Sequence, residues 1–210
     1  MKSTAHLPII GMEIAKNILP LHIVDPEIGE LERVKLKCDP VASLFANRQS
    51  TSVALEACGG AHHWGRVLQA QGHQIKLLPA KQVRPFVLRD KTDARDAQGI
   101  WVAAPQLHIR AVPLKSVQPQ LCLCLHRIRA QLMKMRVMQT NALRGLLYDF
   151  GIALPEGRQV LSTRIPTELA KASDQLASMV IDSVLEQIGR VGRLQADIDL
   201  FEKRLVAMVK

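Results

Sequence analysis

Apolar positions fall in short runs through the first eighty residues and in helical periods later in the chain. Leu7 to Ile14 is mostly apolar, and Ile18 to Val24 follows it after the turn-like Ala15-Lys16-Asn17. Pro26-Glu27-Ile28-Gly29 supplies the next turn, because proline presets a turn dihedral and glycine accepts the reversed one. Leu31 to Leu36 then alternates apolar and charged side chains, the period of a half-exposed strand. Asp39-Pro40 predicts a helix cap followed by proline at the first helical position, with a short helix to about Arg48. Thr51 to Glu56 reads as the next strand, and Gly59-Gly60 leads into a helix from Ala61 to about Gln71, with Trp64, Val67 and Leu68 at helical spacing. Gln74 to Leu78 is a fifth strand, and Pro79-Ala80-Lys81 opens another short helix.

The order is β-β-β-α-β-α-β-α: three meandering strands, then strands alternating with helices. It predicts an α/β domain over residues 1–112, with a mixed five-stranded sheet covered by helices, as in the ribonuclease-H-like fold. After Pro113 the pattern changes, and residues 113–210 read as a helical, coiled-coil region. Val117 to about Tyr148 forms one long helix whose apolar set is Leu121, Leu125, Ile128, Leu132, Met135 and Met138. A loop from Gly151 to Gly157, containing Pro155, ends it. From Ala172 to Lys210, Ile181, Val184, Ile188, Val191, Leu194, Ile198, Phe201, Leu205 and Met208 recur in steps of three and four, close to a coiled-coil seam.

Of the 210 residues 48% are hydrophobic, which argues against disorder, while 3% aromatics means an aliphatic core. No apolar run approaches the ~20 residues that span a bilayer. Glu13 within the first apolar run makes a signal peptide a poor fit, so a soluble cytoplasmic protein is the expectation. Four cysteines are too few for a disulfide framework. Cys122-x-Cys124-x-His126 suggests zinc, but on a helix residues i and i+2 point about 200° apart and cannot share one ion.

The net charge is +9, and residues 51–150 hold the whole surplus. A basic middle between neutral ends points to a polyanion, nucleic acid first. Arg127, Arg129, Lys134, Arg136 and Arg144 share the long helix with no acid before Asp149, whereas a merely solvated helix mixes in glutamate. Lys91 and Arg95 join them as candidate phosphate contacts.

Four acids stand out by context. Glu13 lies in an apolar run, where a charge is costly unless paired or metal-bound. Glu56 ends another such run, and Asp93 and Asp96 stand three apart, on one face of a helix. In the sheet expected here the first and fourth strands are neighbours, so Glu13 and Glu56 meet near its centre beside the helix that carries the two aspartates. Four converging carboxylates stay ionised only when cations neutralise them, and hard oxygen donors favour Mg²⁺ or Mn²⁺. Two such ions ~4 Å apart suit phosphoryl transfer on DNA or RNA. A binding protein without catalysis and a metal-dependent nuclease acting by water attack fit the same residues.

Gly11-Met12-Glu13-Ile14-Ala15-Lys16, Leu55-Glu56-Ala57-Cys58-Gly59-Gly60-Ala61-His62 and Lys91-Thr92-Asp93-Ala94-Arg95-Asp96-Ala97 resemble, in order and spacing, the DEDD transposases of the insertion sequence 110 family. Leu125-His126-Arg127, Leu143-Arg144-Gly145-Leu146-Leu147 and Phe150-Gly151-Ile152 resemble its helical region. The resemblance implies a RuvC-like catalytic domain followed by a coiled-coil region. It also implies DNA cleavage and strand transfer in transposition, with Mg²⁺ held by Glu13, Glu56, Asp93 and Asp96. The partners implied are DNA, a structured RNA encoded by the element, and further copies of the chain. The family's first acid is normally Asp, where this chain has Glu13. A serine nucleophile belongs to a further C-terminal domain that has no match here, so the expectation is a truncated, catalytically incomplete member.

Overall fold

The computed structural model describes residues 8–16, 18–24, 29, 31–87, 92–155, 157, 163–174 and 176–209. Two compact units divide the chain, Met1–Ser116 and Val117–Lys210.

The first unit is built on the strands β1 (Ile9–Met12), β2 (Ile18–Val24), β3 (Leu31–Lys37), β4 (Ser52–Glu56) and β5 (Gln74–Leu78). They lie in the order β3-β2-β1-β4-β5. The first three form an antiparallel meander, whereas β1, β4 and β5 run parallel. This is the mixed sheet of the ribonuclease-H-like fold. Its helices are α1 (Cys38–Ala46), α2 (Ala61–Ala70), α3 (Ala80–Val83) and α4 (Asp93–Ala103), with a 3₁₀ turn at Arg84–Phe86.

Strand alternation sorts side chains between two cores. Ile10, Met12, Leu19, Leu21, Val53 and Leu55 point to one face, where Val41 and Phe45 of α1 and Ala61 and Leu68 of α2 cover them. The intervening positions on the other face are small or polar. Ala54 packs there with Leu78 and with Ile100 and Ala103 of α4. His22 is buried on that side against the Trp101 ring, 5.3 Å between centroids. Burial, and then Arg33 on the next strand, push the His22 imidazole below its ordinary value and favour its neutral form.

Three local expectations are corrected. The first strand stops at Met12 rather than Ile14, although the Glu13 N–H still donates to the Pro20 carbonyl at 3.0 Å; Leu7 lies outside the described residues. Helix α1 is capped at Lys37, not Asp39, so Pro40 falls at the third helical position. Proline is tolerated there because the first-turn N–H groups have no partner within the helix. The last helical stretch begins at Ser178, not Ala172. A short helix, α6 (Ile165–Lys171), precedes it, and Ala172, Ser173 and Asp174 form a turn, where serine and aspartate side chains compete with helical hydrogen bonds.

In the second unit α5 (Val117–Tyr148) packs against α7 (Ser178–Val209). Partners on α7 fall in number as those on α5 rise: Arg129 meets Glu202, Arg136 meets Gln195 and Gln139 meets Gln187, so the two helices are antiparallel. The seam read from the sequence lies inward, with Val184, Val191, Ile198 and Leu205 buried at strict seven-residue intervals. Its partner face on α5 agrees with the expected one in part: Leu125, Ile128 and Leu132 are half-buried. Leu121, Met135 and Met138 are exposed, while Leu143 and Leu147 are buried. The contact face is rotated toward Arg129, Arg136 and Gln139, whose polar ends are satisfied by α7. Among the described residues no helix is long and apolar enough to cross a membrane.

Candidate metal and nucleic-acid site

Register brings the first two acids side by side. Met12 is opposite Leu55 in the parallel pair β1–β4, so the next residues along, Glu13 and Glu56, are neighbours at the carboxyl ends of adjacent strands. Both continue the Gly11 and Ala54 face, the one that α4 covers. Helix α4 approaches β1 so closely that a Cβ on Gly11 would lie 2.3 Å from the Ala97 carbonyl oxygen. Only glycine admits this contact. One turn before Ala97 lies Asp93, and Asp96 is its immediate neighbour, both in the first turn of α4. Thr92 caps that turn, accepting the Arg95 N–H at 3.4 Å. Carboxylates are favoured there by the unpaired N–H groups of the helix start.

The electrostatic result is concentrated on Glu13. Its carboxyl is pushed up to about 7, by burial first and then by the carboxylates of Glu56, Asp96 and Asp93 in that order; the Ile14 backbone N–H acts in the opposite direction. The Cys58 thiol is pushed up to about 11, mainly by burial and further by Glu13 and Glu56. In the metal-free protein it therefore stays protonated at neutral pH. Among the described residues, as they are placed, no three His, Cys, Asp or Glu side chains form a group that could hold a metal ion. The four acids share a field rather than a coordination point.

The candidate phosphate contacts divide by surroundings. Lys91 lies outside the described residues, and Arg95 is half-buried in the first turn of α4. On α5, Arg127 and Lys134 are exposed. Arg129 is bound to the Glu202 carboxylate at 2.6 Å, so its charge is offset within its own unit. Among the described residues Arg136 and Arg144 meet neutral acceptors, the Gln195 amide and the Pro155 and Gly157 carbonyls. Sequence reasoning missed Gly11, although a glycine two residues before an acid on the same strand face was a readable sign of close helix packing. It also missed Thr140 and Asn141, which line a cavity with Arg136 and Arg144.

No protein-family model matches the chain. It is 34% identical over 206 residues to a Pseudomonas aeruginosa protein described as "Probable family 20 transposase", covering 98% of this chain and 61% of that protein. It is 32% identical over 169 residues to the transposase for insertion sequence element IS1111A of Coxiella burnetii, covering 80% of this chain and 46% of the relative. A further match, 32% over 156 residues, is the transposase for insertion sequence element IS1328 of Yersinia enterocolitica, 74% of this chain and 47% of the relative. The chain thus spans about half to three-fifths of the length of these relatives.

Proposed function

We propose that this chain, similar along nearly its whole length to a probable transposase and over 80% and 74% of it to two insertion-element transposases, forms the metal-binding and DNA-holding part of such an enzyme. Residues 1–112 serve as a RuvC-like catalytic-type domain, and 113–210 as a helical region that holds nucleic acid. The observation carrying this reading is the field at Glu13, where three other carboxylates bear on one half-buried acid. Such a cluster invites a cation, and a donor set made wholly of carboxylate oxygens fits Mg²⁺ or Mn²⁺.

When bound, a divalent ion supplies the positive charge that stabilises the oxygen leaving phosphorus during phosphodiester cleavage and strand transfer. The chain's own part is positioning. Glu13 and Glu56 are set by strand register, and Asp93 and Asp96 by the first turn of a helix locked onto Gly11. The acids repel a DNA backbone, so its grip comes from elsewhere, with Arg127, Lys134, Arg136 and Arg144 on α5 as the contacts. Structured RNA would use the same cations. The exposed Leu121, Met135, Met138 and Leu146 on α5 support pairing with a second copy.

Isothermal titration of Mn²⁺ into the wild type and into Asp93→Ala/Asp96→Ala tests the reading. The double variant is expected to bind more weakly by more than the roughly 10–100-fold that loss of an outer-sphere partner costs, with its circular dichroism unchanged. Equal binding by both proteins refutes the metal site.

A further inference from the structure

The basic residues of α5 are not equivalent, and the difference locates a specific site. A cavity of about 220 Å³ opens beside the second half of the helix, lined by Arg136, Val137, Thr140, Asn141, Arg144 and Gly157. Arg136, Thr140 and Arg144 recur every fourth residue, so they form one stripe, with the two arginines about 12 Å apart along the axis at 1.5 Å per residue. Val137 and Asn141 form the adjacent stripe. No acid is among these lining residues.

Among the described residues both guanidinium groups are held in place by neutral acceptors and neither meets a carboxylate. The Arg144 Nη2 donates to the Pro155 and Gly157 carbonyls at 3.3 and 3.0 Å, while its Nε is shielded from solvent with no hydrogen-bond partner. The Arg136 Nη1 donates to the Gln195 side-chain oxygen. Arg129, two helical turns before Arg136, is different: both its Nε and its Nη2 go to the Glu202 carboxylate, at 3.0 and 2.6 Å. Neutral acceptors fix a guanidinium and leave its charge for another partner; a carboxylate removes that charge. Two preorganised, uncompensated arginines with a hydroxyl and an amide between them form a receptor for a tetrahedral oxyanion. The volume lies below the ~300–1,000 Å³ of small-molecule pockets, a size suited to one phosphate with part of its sugar against Val137.

We propose that this cavity is a phosphodiester pocket, in which Arg136, Thr140, Asn141 and Arg144 grip one backbone phosphate of a bound nucleic acid. The proposal rests on the reading of the chain as a nucleic-acid-holding protein and adds to it a single, addressable contact. DNA and RNA present the same group, so the backbone rather than the base is what the pocket recognises.

The test uses the full chain and avoids Arg144 variants, which could release the loop at Pro155 and Gly157. Asn141→Asp introduces a carboxylate into the cavity with almost no change of shape, and Thr140→Val removes the hydroxyl. Arg190→Gln deletes a cation paired with Glu186 on the surface of α7 and serves as the control. Binding is read by fluorescence anisotropy on a labelled DNA duplex and an RNA duplex of the same sequence, over a salt series. Asn141→Asp is expected to bind about tenfold more weakly, with a salt-dependence slope on DNA shallower by about 0.9, the signature of one lost phosphate contact. Thr140→Val is expected to lose a few-fold, and Arg190→Gln to stay within about twofold. Weakening on both duplexes, or on one alone, supports the pocket and tells which nucleic acid fills it. Wild-type binding with both pocket variants unaffected overturns the pocket while leaving the nucleic-acid reading intact. A wild type that binds neither duplex overturns that reading itself. A chemical-shift response of Asn141 to inorganic phosphate, with no change in duplex affinity for either variant, reduces the cavity to a small-anion site and overturns the proposal.

Discussion

In metal-free protein at pH 8, Glu13→Gln is expected to be more stable than the wild type by about 2 kcal/mol, and at pH 4 the two are expected to unfold together. The sign follows from the proton. The Glu13 carboxyl is raised from 4.5 to about 7 in the folded state. Below pH 4.5 it is protonated whether the chain is folded or not, and the pair of proteins is equivalent. Between 4.5 and about 7 the unfolded chain releases its proton first, so wild-type stability falls as the pH rises. Above 7 the folded protein carries an ionised carboxylate among Glu56, Asp96 and Asp93. The full rise corresponds to about 3 kcal/mol, and partial exposure of the site lowers this to about 2. Glutamine keeps the shape and removes the charge. Adding Mn²⁺ reverses the order: at one hundred times its dissociation constant it stabilises the wild type by about 2.7 kcal/mol, roughly 10 °C in melting temperature. The variant, one carboxylate short, gains less. Calorimetric melting at the two pH values, with and without Mn²⁺, measures all of this, and identical curves at pH 8 would falsify the crowding of charge at Glu13.

Gly11→Ala is expected to cost more than about 3 kcal/mol and to lower Mn²⁺ affinity as well. The new methyl carbon would sit 2.3 Å from the Ala97 carbonyl oxygen and 2.8 Å from both the N and the Cβ of Trp101. These are backbone or backbone-fixed atoms of α4, so no side-chain rotation makes room. Pushing the helix away also pulls the Trp101 indole from the Ile9 carbonyl, a 3.0 Å bond, and from its contact with His22. Asp93 and Asp96 move with their helix and away from the strand acids. Gly145→Ala is the contrast: its added Cβ meets nothing within 4 Å on a long helix. It is expected to stabilise the protein by roughly 0.5–1 kcal/mol through helix propensity. Urea unfolding of the two variants separates glycine needed for close approach from glycine merely tolerated.

Much of the fold could be read from sequence because its signals are local. Gln74–Leu78 and Val117–Tyr148 match their expected bounds, since an apolar run closed by proline and a long helical period ended by a loop rich in glycine and proline need no distant information. The short helix Ile165–Lys171 was hidden by its proline, and the turn after it by a sequence in which Ala172, Ser173 and Asp174 fit either state. The contact face of α5 was misjudged in part, for a different reason. Its Arg136 and Gln139 face α7 with polar partners, so hydrophobicity alone selected, beside the half-buried Leu125, Ile128 and Leu132, also Leu121, Met135 and Met138, which are exposed. In the candidate site, strand order and parity were enough to align Glu13 with Glu56. Whether a given arginine keeps its charge was not legible, because the acid that neutralises Arg129 lies 73 residues further along the chain.

The most direct measurement is a crystal of the full chain soaked in Mn²⁺ and recorded at a wavelength where manganese scatters anomalously. Peaks between the carboxyl ends of β1 and β4 and the first turn of α4, within coordination distance of Glu13, Glu56 and the two aspartates, are the expected result. A map with manganese bound elsewhere, or with that space empty at a concentration that saturates the titration, would contradict it.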